Sequence, residues 1–170
     1  SEDNDFDRKR FNADGNFVAY KWEVARERVI NERLSLFGRF NGQLADQPLV
    51  SNEQFFAGGV KSVRGYLESE VIGDNGVHLS VELRGPRFWQ GENNSRGVQP
   101  HIFAEGSYLT LIDPLPGQQD EFAIASAGLG IRGGDGRFFD FYLEAGYAIR
   151  ETLFTDKGEV RLQGSAKLGF

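Results

Sequence analysis

The side chains best suited to metal or hydrolytic chemistry in this 170-residue chain are His78 and His101, with Glu82 and Glu105 close to them in sequence. Two histidines without a third close ligand do not make a zinc site, and structural roles are the commoner outcome for such a pair. The chain has no cysteine, which removes disulfides, thiolate catalysis and Cys-ligated zinc and is compatible with an oxidising compartment without requiring one. No Gly-x-Ser-x-Gly elbow accompanies the histidines. Gly59 to Gly65 lacks the Gly-Lys-Ser/Thr ending of a phosphate-binding loop, and Asp135-Gly136 is turn chemistry. The expectation is no enzyme, no metal and no cofactor.

A different constellation stands out in Gly58-Gly59-Val60-Lys61-Ser62-Val63-Arg64-Gly65-Tyr66, where one guanidinium sits among apolar residues. It falls inside a long non-periodic segment, 45–76, that also carries Phe55 and Phe56. Connections of that length in a compact β domain are functional or disordered, and the apolar cluster argues for packing onto something.

The elements that must position this segment are strands. Val18, Tyr20, Trp22 and Val24 alternate with polar or small residues from Phe17 onward, and a turn near Asn31 follows. Leu34 to Leu44 alternates next, and Val77, Leu79, Val81 and Leu83 then oppose His78, Ser80, Glu82 and Arg84. Further alternating runs cover Ile102 to Tyr108, Ala123 to Ile131, Phe139 to Ile149 and Val160 to Phe170. Seven strands result, many longer than the usual five or six residues and close to the roughly 9 to 11 that a tilted strand needs to cross a bilayer. Tight turns at Asn31 and at Gly133 to Gly136 contrast with longer connections at 45–76, 112–120 and 151–158, and the 85–98 connection is long for the tight-turn side. Residues 1–16 read as an exposed loop or a weak eighth strand, and 17–170 as barrel strands, within one domain over 1–170.

Charge and composition narrow the partners. A net charge of −6 with no Lys/Arg run excludes a phosphate-neutralising surface, so no nucleic acid is expected. No apolar run approaches the roughly 18 residues of a membrane helix, which leaves β-barrels open. With no methionine and Ser1 at its start, the chain is expected to be a processed mature protein or an excised fragment.

Alternation fits two architectures. One is a soluble ligand-binding barrel or sandwich with its apolar faces inward; the other is an antiparallel transmembrane β-barrel with those faces toward lipid. Mixed charges on the polar faces (Glu23, Arg39, Glu82, Glu105, Glu144, Arg150, Lys167) suit a wet interior. Aromatics near strand ends on the apolar faces (Tyr20, Trp22, Phe40, Tyr108, Phe139, Tyr147) suit an interfacial girdle, and the chain ends on Phe170. Together these favour the membrane barrel.

From about Phe17 to Phe170 the chain resembles the C-terminal barrel of two-partner secretion transporters, the haemolysin-secretion branch of the superfamily that includes the outer-membrane barrel assembly factor. The specific part is Ser51-Asn52-Glu53-Gln54-Phe55-Phe56-Ala57-Gly58-Gly59-Val60-Lys61-Ser62-Val63-Arg64-Gly65-Tyr66, then Gly73-Asp74 to Gly76 and Glu82-Leu83-Arg84. The resemblance implies a bacterial outer-membrane location, a sixteen-stranded pore preceded by a plug helix and two POTRA domains, and a secreted exoprotein as partner. It also implies that Val63, Arg64, Gly65 and Tyr66 lie on a loop folded into the lumen. Arg64 would face an acidic residue of a Phe-x-Asp-type motif, here Phe103-Ala104-Glu105, with Glu for Asp and Gly106 one place early. Glu82 is the second expected partner, since a guanidinium in a partly desolvated lumen needs carboxylates; the plain alternative is a solvated loop cation. Seven or eight strands are fewer than the family pore, and an eight-stranded interior is filled by side chains. The transport reading therefore stands beside that of a small structural membrane barrel, or a fragment, without transport activity.

Leu168 and Phe170 end the last strand as an apolar signal of the kind that outer-membrane assembly machinery binds, with membrane lipid as the other partner. Deleting Phe170 is expected to impair insertion in cells more than folding into detergent micelles, read as membrane-fraction yield against heat-shifted gel mobility. Equal insertion of the deletion would contradict this.

Overall fold

A computed structural model describes residues 16–89, 97–134 and 139–169. Seven long strands form one antiparallel sheet: β1 (Ala19–Asn31), β2 (Leu34–Ala45), β5 (Asn75–Arg84), β6 (Val98–Thr110), β7 (Glu121–Gly134), β8 (Phe139–Ala148) and β9 (Val160–Leu168), paired in that order. The connection between β2 and β5 contains a small hairpin, β3 (Phe55–Ala57) with β4 (Val71–Gly73). Among the described residues there is no helix.

The hairpin within the long connection is not expected from the sequence, because three-residue strands hold too little alternation to show a period. β1 likewise runs past Val24, where its apolar alternation stops, as far as Asn31; the ladder to β2, from Ala19↔Ala45 to Asn31↔Leu34, sustains it. The weak strand expected in residues 1–16 lies outside the described residues apart from Asn16, as do Phe170 and Asp135-Gly136 of the expected turn. Closure into a barrel is not reached among the described residues: β1 and β9 are each paired on one side only, so the seven strands form an open sheet.

The two faces of this sheet are inverted relative to a water-soluble protein. On β5, Leu79 is 53% exposed whereas Ser80 and Glu82 beside it are 5% and 6% exposed. The same face carries Leu129 on β7 and Leu162 on β9, both largely exposed, while His101 and Glu105 on β6 and Glu144 on β8 are buried on the other. Transfer of apolar surface out of water contributes roughly 25 cal/mol per Å², so this uncovered face leaves a large apolar surface without a protein neighbour. The soluble barrel, with apolar residues inward, is the reverse of what is found.

The buried side is covered by the β2–β5 connection. Ala57, Val63, Tyr66 and Val71 from that connection pack with Leu109, Ile124 and Ala148 from the inner faces of β6, β7 and the end of β8, flanked by Phe55 and Phe122. This small apolar core lies at the end of the sheet where the longer connections, 46–74, 111–120 and 149–159, gather. The opposite end holds the two-residue link 32–33 and the strand ends at Arg84, Val98, Gly134 and Phe139. Aromatics mark the longer-loop end of the outer face: Tyr20 stacks on Trp22 with ring centroids 5.7 Å apart, and Trp22 lies 6.3 Å from Phe40.

An ionic side chain at the middle of the exposed face should be costly in lipid and nearly harmless in water. Leu79→Arg is expected to lower stability in lipid vesicles by about 2–4 kcal/mol, measured by urea titration. A change below about 0.5 kcal/mol, the level of an ordinary surface substitution, would show that this face does not meet lipid.

Candidate functional site on the inner face

The loop is fixed to the sheet at its base by one carboxylate. Asp74 is fully buried; its Oδ1 accepts from the Leu49 N–H at 2.9 Å and from Gln54 Nε2 at 3.1 Å, and its Oδ2 accepts from the Ile112 N–H at 2.8 Å. Its own N–H donates to the Thr110 carbonyl at 2.8 Å. Gln43 adds a second tie, its Nε2 donating to the carbonyls of Glu53 and Asp74, both at 3.0 Å. Bonding ionised oxygens to backbone N–H groups gives short, strong contacts, so both ends of the connection are held at the rim of the sheet.

Beyond the hairpin the chain reverses at Gly58 and Gly59, whose φ values of 115° and 89° are left-handed and favour glycine. The Ser62 N–H donates to the Gly59 carbonyl at 3.2 Å and the Gly59 N–H to the Val63 carbonyl at 3.1 Å, closing a turn that aims Val63 to Tyr66 at the sheet.

Arg64 is 4% exposed and meets carboxylates from three strands. Its backbone N–H donates to Glu105 Oε2 at 2.9 Å, and its Nε and Nη2 donate to Glu105 Oε1 at 3.1 and 2.5 Å. Nη2 also donates to Glu82 Oε1 at 2.9 Å, and Nη1 to Glu144 Oε1 at 2.8 Å. The guanidinium lies over the Phe103 ring, 3.6 Å from its centroid, so Phe103 and Glu105 of β6 supply a face and an edge to one cation. Burial opposes its charge, but Glu105, Glu144 and Glu82 outweigh that opposition and raise its pKa above the ordinary arginine value.

Two further arginines complete the cluster. Arg84 and Arg132 both contact Glu82 Oε2, at 2.9 and 2.7 Å, leaving Oε1 for Arg64. His101 Nε2 lies 2.8 Å from Glu144 Oε1, and the Ser80 hydroxyl donates to Glu105 Oε1 at 2.9 Å. Three guanidiniums thus stand against three carboxylates, a balanced set of the kind that a low-dielectric interior tolerates.

The neighbours of Arg64 complete the docking. Gly65 (φ 97°) lies against Gly146 of β8 so closely that a Cβ on Gly146 would sit 2.6 Å from the Gly65 nitrogen. The Tyr66 hydroxyl is 2.8 Å from the carbonyls of both Ala125 and Arg150, donating to one of them, and it accepts from the Arg150 N–H at 3.2 Å. Val63 is fully buried in the apolar core. Of the apolar residues named in the sequence, Phe56 does not join: it is 53% exposed.

The structure thus brings Val63, Arg64, Gly65, Tyr66, Glu82 and Glu105 together on one face. Leu168 is exposed on the opposite face, in register with Phe139, and Phe170 is outside the described residues. His78 and His101 do not share a site: His78 faces Ser107 in the ladder and bonds its hydroxyl at 3.0 Å, while His101 faces Arg84 and bonds Glu144. Glu144, Arg84 and Arg132 are the participants that sequence reasoning did not single out as partners. Their places on polar faces were readable, but their convergence depends on register across β5 to β8.

The Gly65–Gly146 approach gives a direct test of loop seating. Gly146→Val is expected to displace the loop by steric overlap at a cost of about 1–3 kcal/mol, the usual range for overpacking, and to speed tryptic cleavage at Lys61. Unchanged protection at Lys61 would contradict the seating.

With this geometry described, the comparisons with known proteins can be placed beside it. A model of the family described as haemolysin secretion/activation protein ShlB/FhaC/HecB matches residues 3–133, more than half of the chain. Comparison with curated proteins finds no match. Among solved structures, CdiB from Escherichia coli is similar with a TM-score of 0.73 and 18% identity, over 89% of this chain and 28% of that one. CdiB from Acinetobacter baumannii is similar with a TM-score of 0.63 and 20% identity, over 88% of this chain and 26% of that one. The chain therefore spans about a quarter of the length of these solved structures, and at such identities the likeness concerns the fold. On the family match the chain belongs to the haemolysin secretion/activation family, ShlB/FhaC/HecB, outer-membrane β-barrel proteins of two-partner secretion.

Proposed function

We propose that this chain is the pore-wall portion of a two-partner secretion transporter in the bacterial outer membrane, and that the 46–74 loop lies in the lumen and gates the export of an unfolded exoprotein. The observation that carries this reading is Arg64 held by Glu82, Glu105 and Glu144 on the inner face of a sheet whose outer face is apolar and exposed. A loop fixed at its base by Asp74 and at its tip by one cation has a fixed end and a releasable end. Release of the tip would clear the inner face while leaving the wall intact.

Several smaller readings belong to the same proposal. The whole pore would have more strands than these seven, since the edges of β1 and β9 need neighbours in hydrocarbon. Lipid is the partner of the outer face, and the assembly machinery that of the last strand, through Leu168 and Phe170. Ion pairing supplies the hold on the loop, and no step calls for catalysis or a cofactor.

The test is Arg64→Ala in the full-length protein. Removing one partner of a buried pair costs about 3–5 kcal/mol because the remaining charges lose their counterion. The variant is expected to insert, to show altered single-channel conductance in planar bilayers and to secrete less exoprotein. Arg64→Lys should resemble Arg64→Ala more than wild type, because an ammonium cannot present the planar fork that meets three carboxylates. Wild-type conductance and secretion in the Arg64→Ala variant would sink the gating role.

A further inference from the structure

Between the loop tip and the inner face lies a cavity of 640 Å³, bounded on one side by the Arg64 cluster. The arginines of the cluster are neutralised: Arg64, Arg84 and Arg132 each have a carboxylate within 2.9 Å. Arg39 of β2, Lys61 of the loop tip, Arg87 and Lys167 of β9 line the cavity without such a close ion pair among the described residues, and Asp140, the ladder neighbour of Lys167, lines it too. Arg39 is half-buried, its Nε is buried without a hydrogen-bond partner, and its guanidinium lies 5.8 Å from the Phe37 ring. Six cations, Arg64 and Arg132 among them, line the hollow against the four carboxylates of Glu82, Glu105, Asp140 and Glu144, so in a chain of net charge −6 this wall carries an excess of the minority charge.

We infer that this cavity binds an acidic extended polypeptide segment, with Arg39, Lys61 and Lys167 taking its carboxylates and Phe37 and Tyr142 taking the aliphatic stems between them. The inference rests on the transport reading for the identity of the segment, a stretch of the exoprotein in passage. The cations stand on three different elements, β2, the loop tip and β9, so a small anion touches one of them while a chain with spaced carboxylates reaches all three. Charge complementarity of this kind sets selectivity and encounter rate and weakens as salt screens it. Lys61 lies close to Arg64 in the same turn, so the bound segment lies beside the latch.

The test uses the full-length protein in detergent and a short fluorescent peptide of alternating Glu and Ser, with its Gln/Ser counterpart as control, read by anisotropy. The acidic peptide is expected to bind about tenfold more tightly than the control at low salt, equivalent to about 1.4 kcal/mol, and to lose that preference at high salt. Arg39→Gln/Lys61→Gln should abolish the preference while keeping heat-shifted gel mobility. Lys167→Gln serves if the double variant misfolds; a partial loss is expected, and none would overturn the assignment. Equal binding of the two peptides, or a preference that survives in the double variant, also overturns it. Displacement by inorganic phosphate as readily as by peptide would make this a small-anion site and defeat the extended occupant. A wild-type protein that prefers the acidic peptide but neither conducts nor secretes sinks the transport reading alone; one that secretes without the preference sinks this inference alone.

Discussion

Burying a guanidinium is the constraint from which most of this structure follows. A charge withdrawn from water carries a penalty of several kcal/mol unless its hydrogen-bonding edges are filled by opposite charge in good geometry. Arg64 meets that demand only by drawing Glu82, Glu105 and Glu144 from three strands, and Arg84 and Arg132 are needed in turn to balance Glu82. Gly65 and Gly146 allow the backbone to come near enough, and Phe103 closes the ring face. The inner face is polar because it has to receive this loop.

The outer face answers a different solvent. Strand alternation places every second side chain on each face, so one sequence pattern serves an ionic inner face and an apolar outer face at once. That is why Leu79 and Glu82, on the same strand, have exposures opposite to their polarity. The apolar core under the loop is small and lies at one end of the sheet. Cohesion of the sheet therefore rests mainly on the ladders.

Much of this architecture was legible in the sequence. All seven long strands announce themselves by alternation, and the long connection announces itself by lacking it. The β3–β4 hairpin was hidden because three residues carry no period, and the far half of β1 because Arg26 and Arg28 interrupt its apolar face. At the site, Arg64 was readable as a lone cation in an apolar setting, whereas Glu144 was not. Nothing local distinguishes it from other glutamates on polar faces; it matters because β8 pairs with β7 and β7 with β6 in one particular register.

The bond between Arg64 and Glu144 spans 80 residues of sequence. A contact that distant forms late, after the intervening strands have been laid down. Until then the loop has no full set of counterions and its cation stays hydrated. A slip of one residue in β8 would turn Glu144 to the outer face and bring a neighbouring apolar side chain inward. Arg64 would then be short of one carboxylate, and Gly65 would meet a side chain where Gly146 had left room. The loop therefore seats fully only on strands that are in register, so a seated loop reports that register.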